Sequence, residues 1–354
     1  MVEAVQIPVE HIKESKLPQV DFKNLGFGKY FSDHMLEADY VNGEWTSVRI
    51  RPYQELGFLP ALSVLHYSQT IFEGQKAHKD ENGNVHIFRP HENWKRLNRS
   101  AERMAMPQVP EEIFVEGMKQ LIELDKDFIP SGYDESLYIR PFLFATEETL
   151  GVKAANAYKF MIITGPVGAY FAEPARIYVE EKFTRAAPGG TGAVKTGGNY
   201  AASLLSSAEA RKQGYDQVLW MDAIEHKYVQ EVGAMNIFFM IGDKIITPDL
   251  SDGTILAGIT RMSLIEMFKD AGHKVEERRI SIDEIIEAYK SGQLKEVFGS
   301  GTAATISHVK ELKYKDFVME LDVDAMTVSS QMKKELLDYK ENKSGDKYGW
   351  LERV

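Results

Sequence analysis

Ten residues near the middle of the chain, GPVGAYFAEP at positions 165–174, interrupt every hydrophobic period on either side of them. Two prolines there fix φ and remove backbone donors, and two glycines weaken any regular element. A helix or strand is not expected to continue past this segment, so the chain divides. A length of 354 residues suits two domains, each able to bury its own core. The division expected is a smaller domain over 1–168, a linker over 169–181 and a larger domain over 182–354.

Before the break, YVNGEWTSVRI places Asn42-Gly43 between apolar positions, a strong hairpin signal. NVHIF, SLYIRPFLF and YKFMIIT read as strands, and NWKRLNRSAERM and EEIFVEGMKQLIELD show helical spacing. After the break come strand ARIYVEE, one long helix NYAASLLSSAEARKQG, and strands DQVLWMD, KYVQEV and NIFFMIGDKIITP. A helix over 261–271, strand KVEERRI, helix SIDEIIEAYKSG and strand LKEVFGS complete the reading. The fold class is mixed α/β (α+β).

Composition narrows the chemistry. The net charge of −11 argues against nucleic acid or an anionic membrane as partner, because neutralising phosphates needs clustered Lys and Arg. With no cysteine, disulfides, thiolate metal sites and cysteine nucleophiles are excluded. Nine histidines show no HExxH or paired spacing, so no metal is expected. No G-x-S-x-G elbow occurs. No apolar run approaches a membrane span, and the N-terminus has no apolar targeting core, so a cytoplasmic location is expected.

One lysine then stands out. In GGTGAVKTGGNY (189–200) five glycines surround Lys195, with no acid in the stretch. A P-loop would need Gly before the lysine, and Val194 is there instead. The other use of such an amine is Schiff-base chemistry. Its company supports that use. Tyr200 opens a helix, QEVGAMN puts Glu231 at a strand end, AGITR makes a helix N-terminus suited to anions, and GSGTAA (299–304) forms a second glycine-rich turn. Lysine, carboxylate, tyrosine and two anion cradles match the aldehyde, ring nitrogen, phenolic oxygen and phosphate of pyridoxal 5′-phosphate.

FSDHM, LHYSQTIFEG, SLYIRPF, GPVGAYF, GGTGAVKTGGNY, QEVGAMN, AGITR and FGSGTA occur in that order. With them the chain resembles the branched-chain amino acid aminotransferases, PLP enzymes of fold type IV, in their larger, eukaryote-like subgroup. The resemblance implies two domains with the active site in the cleft, and transfer of an amino group from L-leucine, L-isoleucine or L-valine to 2-oxoglutarate. By motif, Lys195 would carry PLP, Arg96 would reach its phosphate, Glu231 its ring nitrogen and Tyr200 its phenolic oxygen. Ile259, Thr260 and Thr302 would complete the phosphate cup. Phe27, Tyr67, Phe72, Tyr138 and Tyr170 would line an apolar substrate pocket. Arg140 would receive the second carboxylate of glutamate, and the Thr302-Ala303 backbone would meet the α-carboxylate. Val152 would come from the neighbouring subunit of a homodimer.

Two positions depart from relatives. Ala304-Thr305-Ile306-Ser307 stands where some carry Cys-x-x-Cys, which removes thiol redox control, and Ala234 stands where some have Thr. Within the fold, the alternatives are a D-amino acid aminotransferase or an aminodeoxychorismate lyase, which would share Lys195 and Glu231. Outside it stand a non-catalytic phosphate-ligand-binding protein and an acidic interaction protein.

Overall fold

The computed structural model describes residues 6–169 and 173–354. The chain forms two units. The first comprises Met1–Tyr170, Lys195–Gly197 and Asp338–Val354, the second Phe171–Val194 and Gly198–Leu337.

In the first unit, β1 (His34–Val41) and β2 (Glu44–Pro52) make the expected hairpin. Asn42 and Gly43 turn it with φ of 54° and 88°, the positive values that a tight two-residue turn requires. The sheet continues with β3 (Thr70–Phe72), β4 (Gln75–Lys79), β5 (Val85–Phe88), β6 (Ser136–Ala145) and β7 (Ala157–Val167). Its order is β5–β4–β6–β7–β1–β2, with β3 also on β6. Strand β7 runs through Gly165-Pro166-Val167, further than the sequence break suggested. Pairing with β1 stops at Ile163, so the donor that Pro166 lacks is not required on that side. Strand Leu351–Arg353 pairs with β5, which ties the C-terminal residues to the first unit, whereas the sequence division grouped them with the second domain.

Strand β6 sets up the site by its period of two. Leu137, Ile139 and Leu143 are fully buried in the core, whereas Tyr138, Arg140 and Phe142 share the less buried face. Residues Lys195–Gly197 return to this unit beside β3. Phe72 N–H donates to the Lys195 carbonyl at 3.0 Å, and the Thr196 hydroxyl donates to the Thr70 carbonyl at 2.7 Å.

The second unit contains β8 (Ala175–Val179), β9 (Gln217–Met221), β10 (Val229–Val232), β11 (Met235–Ile241), β12 (Lys244–Thr247), β13 (Lys274–Glu277), β14 (Leu294–Gly301), β15 (Thr305–Tyr314) and β16 (Phe317–Glu320). The path β10–β9–β8–β15–β14–β11 closes because β10 also pairs with β11. Closure removes the exposed edges that an open sheet would leave. Ile177, Leu219, Val232, Ile237 and Val297 form its apolar core, with Ile285 from the helix Ile282–Lys290.

Several elements differ from the sequence reading. The expected long helix after Lys195 is two helices, Gly197–Ala202 and Leu204–Lys212, broken at Ser203, whose hydroxyl bonds back to the Tyr200 carbonyl at 2.7 Å. Such local side-chain bonds compete with the helical ladder. Strands β15 and β16 and the helix Thr327–Lys340 have no counterpart in the sequence reading, because their charged residues obscure any apolar stripe.

Candidate active site

Lys195 is held at both ends of its own residue. Its carbonyl accepts from Phe72 N–H, and its N–H donates to the Ser100 hydroxyl at 3.2 Å. Its Nζ stands 4.9 Å from the centre of the Phe72 ring, within cation–π range. The helix Pro90–Arg103 that supplies Ser100 also carries Arg96 one turn earlier. Arg96 is buried and clamps Glu73 through two nitrogens, Nε to Oε1 at 2.8 Å and a terminal nitrogen to Oε2 at 2.7 Å. Asn93 donates to the same carboxylate at 2.8 Å. Glu73 lies in IFEG and Ser100 in NRSA; neither carries a role from sequence, since nothing local marks its partner.

On the Tyr138 face of β6, Arg140 lies 4.7 Å over the Phe72 ring and donates to the Tyr138 hydroxyl at 3.0 Å. Its Nε is buried without a hydrogen-bond partner among the described residues. Phe27 meets Tyr138 edge-on with centroids 4.9 Å apart. A pocket of about 190 Å3 opens here, lined by Phe27, Tyr30, Phe31, Tyr138 and Arg140 among others. Lys195, Phe72, Arg140, Tyr138 and Phe27 are thus linked by successive contacts. Gly74 leaves room beside them, because a Cβ there would stand 2.3 Å from the Tyr138 hydroxyl and displace that side chain.

In the second unit Glu231 is buried on β10. Its Oε1 accepts from Leu256 N–H at 3.0 Å, Asn236 Nδ2 lies 3.5 Å from the same oxygen, and its Oε2 pairs with Arg185 Nε at 2.9 Å. The helix Ile259–Asp270 begins with Ile259 and Thr260 after Gly258, and no side chain caps it. Uncapped amide groups at such a start suit an anion. A Cβ at Gly258 would lie 2.0 Å from the Asn236 side-chain oxygen and would force that side chain to move. Thr302 and Ala303 form the turn from β14 to β15, and Thr305 closes it with a φ of 57°, a costly value for a β-branched residue. A second pocket, about 250 Å3 and lined by Asp222, Tyr228, Gln230, Asp252 and Arg279 among others, contains none of the predicted residues.

The family described as "Amino-transferase class IV" matches residues 70–312. The chain belongs to the class IV aminotransferases.

This class IV aminotransferase is 52% identical over 321 residues to a probable branched-chain-amino-acid aminotransferase of Staphylococcus aureus (strain MRSA252), covering 89% of this chain and 88% of the relative. It is 54% identical over 297 residues to branched-chain-amino-acid transaminase 1 of Bacillus subtilis (strain 168), covering 82% and 83%. Its fold matches, with a TM-score of 0.73 and 25% identity, the branched-chain aminotransferase of the thermophilic archaeon Thermoproteus uzoniensis with norvaline, covering 90% of this chain and 99% of that one. The aminotransferase therefore has fold type IV, and its substrates are amino acids and 2-oxo acids.

The remaining predicted residues fall outside these contact groups. Tyr200 is half-buried on the helix Gly197–Ala202 of the second unit. Tyr67 is exposed and hydrogen-bonds the Leu150 carbonyl. Val152 follows Leu150 and is 83% exposed. Tyr170 lies outside the described residues. Among the described residues no group of three His, Asp or Glu could hold a metal ion, and no helix is long and apolar enough to cross a membrane.

Proposed function

We propose that this chain is a branched-chain amino acid aminotransferase, using pyridoxal 5′-phosphate to exchange the amino group of L-leucine, L-isoleucine or L-valine with 2-oxoglutarate. The donor set fits that cofactor. An uncapped helix start at Ile259-Thr260 and the Thr302 turn suit a phosphate, buried Glu231 suits a protonated ring nitrogen, and the Lys195 amine suits the aldehyde. Arg96, oriented by Glu73, adds positive charge for the phosphate, and Tyr200 donates to the phenolic oxygen.

When bound, the cofactor supplies an electron sink for the charge released at the substrate Cα. The protein's own groups do the rest. Lys195 holds the cofactor and then carries a proton from Cα. Its backbone, fixed by Phe72 and Ser100, limits where that amine can travel. Glu231 keeps a positive charge favourable at the ring nitrogen. The Thr302-Ala303 backbone receives the α-carboxylate.

One observation carries the substrate class: Arg140 is a cation set over the Phe72 and Tyr138 rings, with a buried Nε that has no hydrogen-bond partner among the described residues. A branched aliphatic side chain gains about 1.5–3 kcal/mol from burial against Phe27, Phe72 and Tyr138. Arg140 admits glutamate to the same pocket by binding its second carboxylate. Val152, with Leu150 beside it, is an exposed apolar loop that would complete the pocket of a neighbouring subunit in a homodimer. The enzyme would work in the cytoplasm.

Assays of single amino donors with 2-oxoglutarate test this reading. L-leucine, L-isoleucine, L-valine and L-glutamate should be donors, and L-lysine, L-aspartate and D-alanine poor ones. If D-alanine exceeds L-leucine in kcat/KM, the chain is a D-amino acid aminotransferase instead.

A further inference from the structure

We propose that Arg185 is a positioning residue that locks the Glu231 carboxylate and the glycine-rich segment before Lys195 into one fixed arrangement. The inference rests on the reading of Glu231 given above.

Arg185 lies in FTRAAPGG, ten residues before Lys195. Its side chain is 8% exposed and that of Glu231 is 6% exposed. Its guanidinium makes three attachments. Nε forms an ion pair with Glu231 Oε2 at 2.9 Å without hydrogen-bond alignment, one terminal nitrogen donates to the Thr254 carbonyl, and both terminal nitrogens reach the Gly192 carbonyl at 3.4 and 3.5 Å.

These attachments close a circuit. Leu256, two residues after Thr254, donates its N–H to Glu231 Oε1 at 3.0 Å. Ala193 donates to the Gly253 carbonyl at 3.1 Å, which joins the glycine-rich segment to the same turn. Gly192 packs so closely that a Cβ would lie 2.3 Å from the Thr254 carbonyl oxygen. Both oxygens of Glu231 are therefore aimed by groups that also fix residues 192–193. A planar guanidinium spreads its donors over three nitrogens in a fixed plane, whereas the three donors of an ammonium radiate from one nitrogen on a flexible stem. Displacing a reacting group by about 1 Å can lower a rate about 100-fold, so an acid held from two sides is a mechanical requirement of this site.

The test compares Arg185→Met, Arg185→Lys and Arg185→Met/Glu231→Gln with the parent full-length enzyme. Hydrogen exchange over residues 189–194, measured without cofactor, should accelerate about tenfold in Arg185→Met. In the PLP-loaded enzyme, the visible absorption band should shift and kcat should fall about tenfold or more with little change in KM. Arg185→Lys should lie between parent and Arg185→Met in each readout and provides the folded comparison if Arg185→Met is unstable. In the Glu231→Gln background, Arg185→Met should speed exchange without a further spectral shift, because the residue acts on the ring through Glu231. Unchanged exchange, spectrum and kcat in either single variant, with only a lower Tm, would overturn the proposal. So would a further spectral shift in the double variant. Failure of the parent protein to bind PLP would instead count against the proposed function, while the cofactor-free exchange measurement would still decide the role of Arg185.

Discussion

The buried glutamates of the first unit and the buried acids of the second are held by different means. In the first, carboxylates meet side-chain cations: Glu73 is clamped by Arg96, and Glu37 is surrounded by Arg49, Arg51 and Lys159. In the second, backbone amides dominate. Asp222 accepts from the N–H groups of Ile224, Glu225, Lys227 and Tyr228, and Glu296 accepts from those of Val328 and Ser329. Glu231 is the mixed case, bound by the Leu256 amide and by Arg185. Cation-held acids fix long side chains in a sheet, whereas amide-held acids shape turns and helix starts. The first arrangement fails when one partner is removed; the second degrades gradually.

The largest effect is expected at Glu73. Glu73→Gln leaves Arg96 buried without its counter-charge, which costs about 3–5 kcal/mol by the usual penalty for breaking a buried pair. Denaturant unfolding followed by tryptophan fluorescence would measure it, and a loss under about 1 kcal/mol would mean that the clamp contributes little. Asp222→Asn should cost less, about 1–3 kcal/mol, because the amide oxygen retains part of the acceptor role for the four amides. Equal losses at the two positions would erase the contrast between the units.

The third effect is a pH dependence of stability, confined to the acid range. Burial pushes the Glu37 carboxyl up, but hydrogen bonds from Arg51 and Arg49 and the Lys159 charge outweigh it and hold the group at about 2, against an ordinary 4.5. The folded-state value is depressed, so its stabilisation is complete above pH 4.5 and is lost progressively as pH falls towards 2. Glu37→Gln should remove that acid-sensitive component, seen as a flatter decline in stability below pH 4.5. An acid profile identical to that of the parent would show that Glu37 is not its source.

What the sequence disclosed was local. The Asn42-Gly43 turn, the helix start at Ile259 and the glycines around Lys195 are each signalled by neighbouring residues, and the structure places them as turn, helix start and close-packed segment. Contacts between distant residues were not legible. Arg185 and Glu231 lie far apart in sequence, as do Ser100 and Lys195, and no period or motif links either pair. The closure of β10 onto β11 and the pairing of Leu351–Arg353 with β5 are likewise products of tertiary packing. The aromatic residues of the proposed pocket came from motif resemblance, because alternation along β6 cannot say which face meets a ligand.

The central claim is that the Lys195 amine is the group through which this aminotransferase holds its cofactor. Borohydride reduction of the PLP-loaded protein, followed by peptide mapping, tests it directly. A phosphopyridoxyl adduct should appear on Lys195, and Lys195→Ala should remain folded, lose the adduct and lose transamination. A stoichiometric adduct on any other lysine, or undiminished transamination by Lys195→Ala, would contradict the account.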